Sequence, residues 1–378
     1  MCALVALAVV CLPAQETGKS APPSKSAGKT KSARKPLDPA VQQKLNDALL
    51  AAVEDDNMKR VKDLLSKRAD VNAADEHKVN ALMIAVEGGD AEMVSLLLEA
   101  KPDINAGDDS GMNALMTAAE FGDTALLPLL LDAKANINAV DVNGWTPLTT
   151  AVLEGKPEAV KLLLERGANP RVADREGHTV WMFAAAEGDQ ASMQSLLDPA
   201  LTHVTRKDLE LADRNGWHAL HHACSRAHPM LVQMLLEAGA DANARDISAW
   251  TPLMLAAETH CYGCAQLLLD RGAQANLANG SGSTALILAA AAGDAEQVEL
   301  LLKHGANPNM ATRERSTALI EAASHGHVEV AQKLLAAGAD PNVRTARGDT
   351  ALLRATSRNS TGTPNPQMIE LLKQAGAR

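Results

Sequence analysis

The chain has 378 residues, of which 46% are apolar but only 2% aromatic, and its formal net charge is -10. This length allows two ordinary domains or one elongated array, and abundant Ala and Leu with few aromatic residues favour closely packed helices over an aromatic-rich β-sandwich. Residues 1–40 contain six Lys or Arg and two Asp or Glu, a net +4, which leaves -14 for the remainder. Because an acidic body repels a phosphate backbone, we expect no nucleic-acid binding by the folded part.

An apolar run of ten residues, Ala3 to Leu12, stands at the N-terminus. It is too short to cross a membrane but has the length of a signal-peptide core, so we predict a signal peptide over residues 1–14. The mature chain would then be periplasmic or secreted, in a bacterium, without membrane insertion. No Lys or Arg precedes the run and Leu12 is bulky for a cleavage site, which leaves a cytoplasmic protein with a disordered leader as the alternative. Residues 15–40, rich in Ser, Lys and Pro, predict a flexible basic linker.

From residue 43 onward the sequence repeats with a period of 33 residues. With Leu148 of TPLTTA as the marker of each unit, every step is 33 residues except one of 39, from Trp181 to Leu220. An Ala follows each marker by three residues and a Leu by fifteen, although in the last unit Leu372 takes the second place after a short insertion. The markers are Leu49, Leu82, Leu115, Leu148, Trp181, Leu220, Leu253, Leu286, Leu319 and Leu352.

Each unit predicts two antiparallel helices followed by a hairpin, here called the finger loop, that leads to the next unit. Thr146 is a good N-cap for the first helix, and Pro147 suits the first helical position. The second helix is expected to start at Lys156, and at an Asp such as Asp123 in other units. A Gly such as Gly167 then ends it in the left-handed conformation. The recurring Ala indicates that helices of neighbouring units approach closely.

The period and the motifs TPLTTA (146–151) and TPLMLA (251–256) resemble the ankyrin-repeat family, whose 33-residue unit contains T-P-L-H-x-A. The resemblance covers residues 43–378. It implies an all-α ankyrin-repeat solenoid of about ten helix-turn-helix units with hairpin finger loops, capped by its first and last units.

Departures from the repeat make further predictions. Arg68, Lys101 and Lys134 stand at the Gly stop of the first three units. A residue other than Gly costs about 1 kcal/mol in that conformation, so the N-terminal units should be the least stable against unfolding. The six additional residues, within 198–213, are expected to lengthen one finger loop. A second insertion, at 359–366, falls between the two helices of the last unit.

Two stretches rich in His and Cys raise the question of metal or redox chemistry. Their side chains are His218, His221, His222, His228, His260, Cys261 and Cys264. Such groups can bind zinc, but His221 falls at the histidine of T-P-L-H, which the resemblance assigns to structural hydrogen bonds, and Cys224 falls at a small buried position. We therefore predict no metal site. Cys261 and Cys264 begin a helix and are expected to serve as structural thiols or a disulfide, because redox catalysis would need a thioredoxin-like context that the sequence lacks.

The position three residues before the marker collects three of the four Trp of the chain. Along the array it reads Val79, Met112, Trp145, His178, Trp217, Trp250, Ser283, Ser316 and Asp349. The resemblance implies that this position, with those five and six residues after the marker, faces a ligand. The alternative is that the Trp side chains only pack between neighbouring fingers. The residues predicted to bind a partner are Met112, Phe121, Trp145, Leu153, His178, Trp217 and Trp250.

The sequence therefore predicts a non-catalytic, monomeric scaffold without a cofactor, which binds another protein through its concave groove and finger tips. The alternative is an exported redox or metal-linked stress protein that uses the His and Cys residues between 218 and 264. No arrangement of residues typical of an enzyme is visible, since the scattered carboxylates fall at helix starts and finger tips, where capping explains them.

Overall fold

The computed structural model describes residues 37–356 and 364–378, which contain 22 helices and no strand. Twenty of these helices form ten consecutive pairs, and two short ones stand between the fifth and sixth pairs. The pairs are α1 (Pro39–Glu54) and α2 (Met58–Ser66), α3 (Ala81–Glu87) and α4 (Ala91–Glu99), α5 (Ala114–Phe121) and α6 (Leu126–Asp132), α7 (Pro147–Leu153) and α8 (Pro157–Glu165), α9 (Val180–Glu187) and α10 (Gln190–Leu197), α13 (Ala219–Ser225) and α14 (Pro229–Glu237), α15 (Pro252–Glu258) and α16 (Tyr262–Asp270), α17 (Ala285–Ala292) and α18 (Ala295–Lys303), α19 (Ala318–His325) and α20 (Val328–Ala336), and α21 (Ala351–Thr356) and α22 (Pro366–Gln374). The short helices are α11 (Pro199–Thr202) and α12 (Arg206–Leu209).

The residues that recur in the sequence form the core of the stack. Each Ala three residues after a marker is at most 3% exposed, which lets the first helices of neighbouring units pack against one another. The Leu fifteen residues after the marker lies in the layer between the two helices of its unit and is fully buried in most units. Trp181 replaces the marker Leu, is fully buried, and donates its indole N–H to the Leu196 carbonyl at 3.3 Å.

The helix starts follow the predicted caps with one exception. Thr146 accepts a hydrogen bond from the Thr149 amide, and Lys156 precedes Pro157 at the start of α8. Asp123 caps the start of this segment as predicted, since its carboxylate accepts from the amides of Ala125 and Leu126 at 2.9 Å, but the regular α-helix begins only at Leu126. Pro128 explains the delay, because it has no N–H to donate to the carbonyl four residues before it.

The helix stops also follow the sequence. Gly167 adopts a φ of 87°, and Arg68, Lys101 and Lys134 adopt φ values of 75°, 59° and 74° at the equivalent places. The non-glycine residues are therefore held in the left-handed region as the sequence predicted, and the associated strain falls in the first three units.

A repeated pattern of hydrogen bonds stabilises each finger loop and joins it to the next. In one finger the Asp141 amide donates to the Trp145 carbonyl at 3.0 Å, and the Asp141 carboxylate accepts from the Trp145 amide at 2.8 Å. The finger is joined to its neighbour because the Val142 amide donates to the Ser110 carbonyl at 2.8 Å. The same cross-finger bond recurs in the next step, between the Arg175 amide and the Asn143 carbonyl. The finger tips therefore form a continuous, ordered edge of the stack.

An Asn near the start of most loops adds a second link between units. Asn138, for example, accepts a hydrogen bond from the Asn169 amide of the next unit at 2.8 Å. At the equivalent place in the following unit stands Arg171, whose guanidinium instead binds the Asp208 carboxylate with two hydrogen bonds, at 2.6 and 2.9 Å. The residues of this place are Asn72, Asn105, Asn138, Arg171, Asn243, Asn276, Asn309 and Asn342.

The prediction that the additional residues within 198–213 lengthen a finger loop is wrong. They fold into α11 and α12 because Asp198 and Thr205 cap two short turns of helix. The hairpin that follows has the ordinary length, since the Asp213 amide donates to the Trp217 carbonyl at 2.9 Å as in the other fingers.

The ends of the stack differ from its middle. In α1 only Leu49, Ala52 and Val53 are buried, so that helix presents a polar face outward, as a terminal unit requires. The predicted insertion at 359–366 lies largely outside the described residues, as do the segment predicted to be a signal peptide and most of the predicted linker. Within the described part of the chain, no helix combines the length and the apolar character needed to cross a membrane.

Candidate functional site

The inner face of the stack is formed by the first helices and the finger loops. In most units consecutive first helices pack more closely than consecutive second helices, because small Ala side chains separate the former. Closer spacing on one side bends a stack toward that side, so the first-helix row is the concave one. The partner-binding residues predicted from the sequence lie on this row and its fingers.

Three of these residues, Met112, Phe121 and Trp145, line one cavity of about 440 Å³ between neighbouring fingers and first helices. Phe121 is 53% exposed, although it is one of only two Phe in the chain. Trp145 is half-buried and meets Phe183 of the next unit edge to face, with ring centroids 6.3 Å apart. This apolar surface is therefore held in place by the scaffold while remaining accessible to a partner.

Three glutamates line the same cavity, although none of them is among the residues predicted to bind a partner. They are Glu87, Glu120 and Glu154, from three successive first-helix ends. Burial, together with the nearby charges of Glu154 and Glu87, raises the pKa of the Glu120 carboxyl above its ordinary value. Their positions five or six residues after the marker were the available signal. The cavity therefore combines an apolar floor with concentrated negative charge.

The remaining predicted residues, except for Leu153, line two further cavities on this face. His178 and Trp217 line one of about 390 Å³, and Trp250 lines another beside Ser316. Leu153 is half-buried and lines none of these three cavities. Trp145, Trp217 and Trp250 thus line separate cavities on this face rather than one continuous apolar strip.

Trp217 and Trp250 also have structural contacts, which supports part of the packing alternative. The Trp217 indole N–H donates to the Asp246 carboxylate at 3.0 Å, and its ring stacks on His221 at a centroid distance of 6.2 Å. The Trp250 carbonyl lies 3.2 Å from Nε2 of His221. Substitution of Trp217 would therefore disturb the stack as well as any contact with a partner, whereas Trp250 bonds to His221 only through its backbone carbonyl and its side chain packs partly against the core.

The histidines selected from the sequence have separate structural roles. His221 is fully buried, accepts from the His218 amide at Nδ1, and has its pKa lowered to about 4 because burial disfavours the charged ring. Nε2 of His228 lies 3.2 Å from the Ala186 carbonyl of the preceding unit. His260 is exposed and lies 3.4 Å from Asp294. Apart from His222, the side chains of these histidines do not gather around one possible metal position.

The three cysteines in the described part of the chain have surroundings that fit a structural role. A disulfide joins Cys261 to Cys264, with Cα atoms 5.2 Å apart, and the two residues are 8% and 0% exposed. Cys224 is free and fully buried, and burial raises the pKa of its thiol well above the usual range. Thiol exchange needs access to a sulfur atom, so these positions do not favour the redox alternative.

Comparison with known families agrees with this architecture. Models described as ankyrin repeats (3 copies) match residues 49–141, 121–208, 181–279 and 272–345, and one described as ankyrin repeats (many copies) matches residues 322–372. No curated protein matches the sequence. Ankyrin repeats generally serve as protein–protein interaction modules, and proteins built from them are typically non-catalytic. With most of its length matched by these models, the chain belongs to the ankyrin-repeat family.

Proposed function

We propose that this protein is a monomeric, non-catalytic scaffold that binds a partner protein through the concave groove and finger tips. The observation that carries the proposal is the cavity where Met112, Phe121 and Trp145 meet the three glutamates. Ordered aromatic side chains with exposed surface are typical of interface hot spots, since they lose little conformational freedom on binding. We therefore place the centre of the interface at this cavity rather than at Trp217 or Trp250.

The chemistry of the cavity selects the partner segment. Glu87, Glu120 and Glu154 favour a Lys or Arg side chain, and the Trp145 ring offers a cation–π contact to the same group. The exposed ring of Phe121 favours an aliphatic or aromatic residue beside that cation. The proposed ligand is thus a protein segment that carries a basic residue close to an apolar one, and the overall charge of -10 assists its approach.

A selection from a displayed library of random peptides tests this proposal without knowledge of the partner. Peptides that bind the wild-type chain are selected first. Those that also bind a Trp145→Ala, Glu120→Gln double variant are then removed. We expect the surviving peptides to share a Lys or Arg near an aliphatic or aromatic residue.

Depletion on a matched control variant distinguishes binding at this site from nonspecific binding to the protein surface. Met230→Ala, Glu158→Gln removes one exposed apolar and one acidic side chain from the outer, second-helix row. The control should remove the same peptides that bind the wild-type protein. If the groove variant also retains them, they bind elsewhere and the proposed interface is wrong.

We also propose that the scaffold acts outside the cytoplasm of a bacterium. The apolar run Ala3–Leu12 and the small residues that follow it support removal of residues 1–14, so that the mature chain begins near Gln15. Mass analysis of the N-terminal peptide from fractionated cells tests this directly. Intact Met1 on cytoplasmic protein would contradict export.

A further inference from the structure

One junction between repeats brings two imidazoles to the same carboxylate. Nε2 of His178 lies 3.5 Å from Oδ2 of Asp213, and Nε2 of His222 lies 3.2 Å from the same oxygen. The three ligand atoms offered by these residues all lie within 4.8 Å of one another. The Asp213 side chain is 2% exposed, while those of His178 and His222 are 26% and 15% exposed.

Neighbouring groups fix the orientation of this cluster. Nδ1 of His178 lies 3.0 Å from the Asp174 carboxylate, which favours the tautomer with its proton on Nδ1 and its lone pair on Nε2, toward Asp213. A carboxylate behind a histidine in this way is the usual second partner of a metal-binding imidazole. The other Asp213 oxygen accepts from the amides of Asn215 and Trp217, so Oδ2 is left facing the two rings.

The other repeats provide an internal comparison, because each has residues at the same three places. An Asp often occupies the place of Asp213, where it caps the finger loop. The cap therefore explains why Asp213 is present, but it does not explain the two histidines. Neither histidine is needed for that cap. The place of His178 holds Met112 in another unit, and the place of His222 holds Leu255 in the unit that follows. The two histidines, one in a finger loop and one in α13, are thus departures from the repeat at one junction.

We propose that His178, Asp213 and His222 form a binding site for a divalent transition-metal ion, with Zn²⁺ as the ion that the geometry fits best. Zinc binds imidazole nitrogen and carboxylate oxygen at about 2.0–2.1 Å in a tetrahedral arrangement, which sets neighbouring ligand atoms about 3.3–3.4 Å apart. The distances from Oδ2 of Asp213 to Nε2 of His178, 3.5 Å, and to Nε2 of His222, 3.2 Å, lie on either side of that value. This site differs from the His and Cys set that the sequence suggested, with which it shares only His222.

Three protein ligands leave a fourth position free, as in zinc sites that bind an exogenous group. The cluster opens into the cavity of about 390 Å³ beside Trp217, on the groove side of the stack. A water molecule or a donor side chain from a bound protein would complete the coordination there. The metal proposal is independent of the acidic cavity at Trp145, so either can fail without the other.

Titration of Zn²⁺ into tag-free, chelator-treated full-length protein, with its thiols blocked, tests the site. We expect one tight equivalent by calorimetry, a raised melting temperature, and the visible absorption of tetrahedral cobalt when Co²⁺ is used instead. His178→Met and His222→Leu each copy the residue of another repeat, and Asp213→Asn copies Asn279, whose amide oxygen caps its finger in the same way. Each change should weaken Zn²⁺ binding at least tenfold.

Controls separate the site from other histidines and from misfolding. His260→Gln removes an exposed histidine that also lies beside a carboxylate, and it should bind Zn²⁺ as the wild type does. Unchanged circular dichroism of the metal-free variants would show that they remain folded. Wild-type Zn²⁺ affinity in folded His178→Met and His222→Leu variants would overturn the proposal, as would the absence of a tight equivalent in the wild type.

Discussion

The ion pair between Arg171 and Asp208 should contribute measurably to stability, because it attaches the inserted helices α11 and α12 to the preceding unit. The Asp208 side chain is 9% exposed, and hydrogen bonds from Arg171 and Thr205 lower the pKa of its carboxyl from 3.8 to about 2. That shift corresponds to about 2.4 kcal/mol. Because the Arg171 side chain is 40% exposed and partly screened by water, we expect about 1–2 kcal/mol in practice.

A double-mutant cycle measures this contribution. Arg171→Gln, Asp208→Asn and the double variant are unfolded in urea at pH 7, and hydrogen exchange of residues 198–213 reports the local effect. The coupling free energy should be about 1–2 kcal/mol. It should be present above about pH 4 and decline as the pH falls from 4 toward 2, since a lowered carboxyl pKa stabilises the folded state only while the group is ionised.

The exposed pair of Glu176 and Arg214 provides a matched control. Its side chains are 58% and 65% exposed and lie 2.9 Å apart, so the same cycle with Glu176→Gln and Arg214→Gln should give a coupling free energy below about 0.5 kcal/mol. A coupling no larger at Arg171 and Asp208 than at this control would refute the reasoning, as would unchanged exchange in residues 198–213 when the pair is removed.

Other substitutions test the core and the helix stops. Trp181→Leu, which restores the common marker residue, should destabilise the protein by about 2 kcal/mol in urea unfolding because it leaves a cavity and removes the bond to Leu196; unchanged stability would contradict the observed packing. Lys134→Gly should stabilise by up to about 1 kcal/mol because φ is 74° there, whereas Lys161→Gly, within α8, should destabilise by a similar amount. Hydrogen exchange should be fastest in residues 45–135 of the repeat stack, and finding them the most protected would count against the assigned strain.

Local signals in the sequence predicted most of the fold. The marker, the Ala three residues later and the caps each act within one unit or between adjacent units, so a repeated pattern defines both helices and their packing. The start of α6 was misplaced because Pro128 lacks the N–H that would continue the turn capped by Asp123 into a regular helix. The insertion was misread although its two short helices have local caps at Asp198 and Thr205. Their attachment to the preceding unit through Asp208 and Arg171 is a contact between units that no periodicity reveals.

The candidate site was less predictable for a similar reason. Periodicity identified the positions of Met112, Phe121 and Trp145, and the structure places them in one cavity. It marked the places of Glu87, Glu120 and Glu154 as ligand-facing but did not single these residues out, because an exposed Glu near a helix end is common in a solvated face. Nor did it identify His178 with His222, since those residues come from different units and meet only where a finger loop packs beside α13 of the next unit.

Calorimetric titration with a library-selected peptide tests the central claim, binding at the acidic and apolar cavity, most directly. Trp145→Ala should weaken binding by about 2 kcal/mol, roughly thirtyfold, with unchanged circular dichroism. Tyr262→Ala, which removes a 44% exposed aromatic side chain from the outer row, should bind the peptide with wild-type affinity. Equal affinity of the wild-type and Trp145→Ala proteins would contradict the account and place the interface elsewhere on the array.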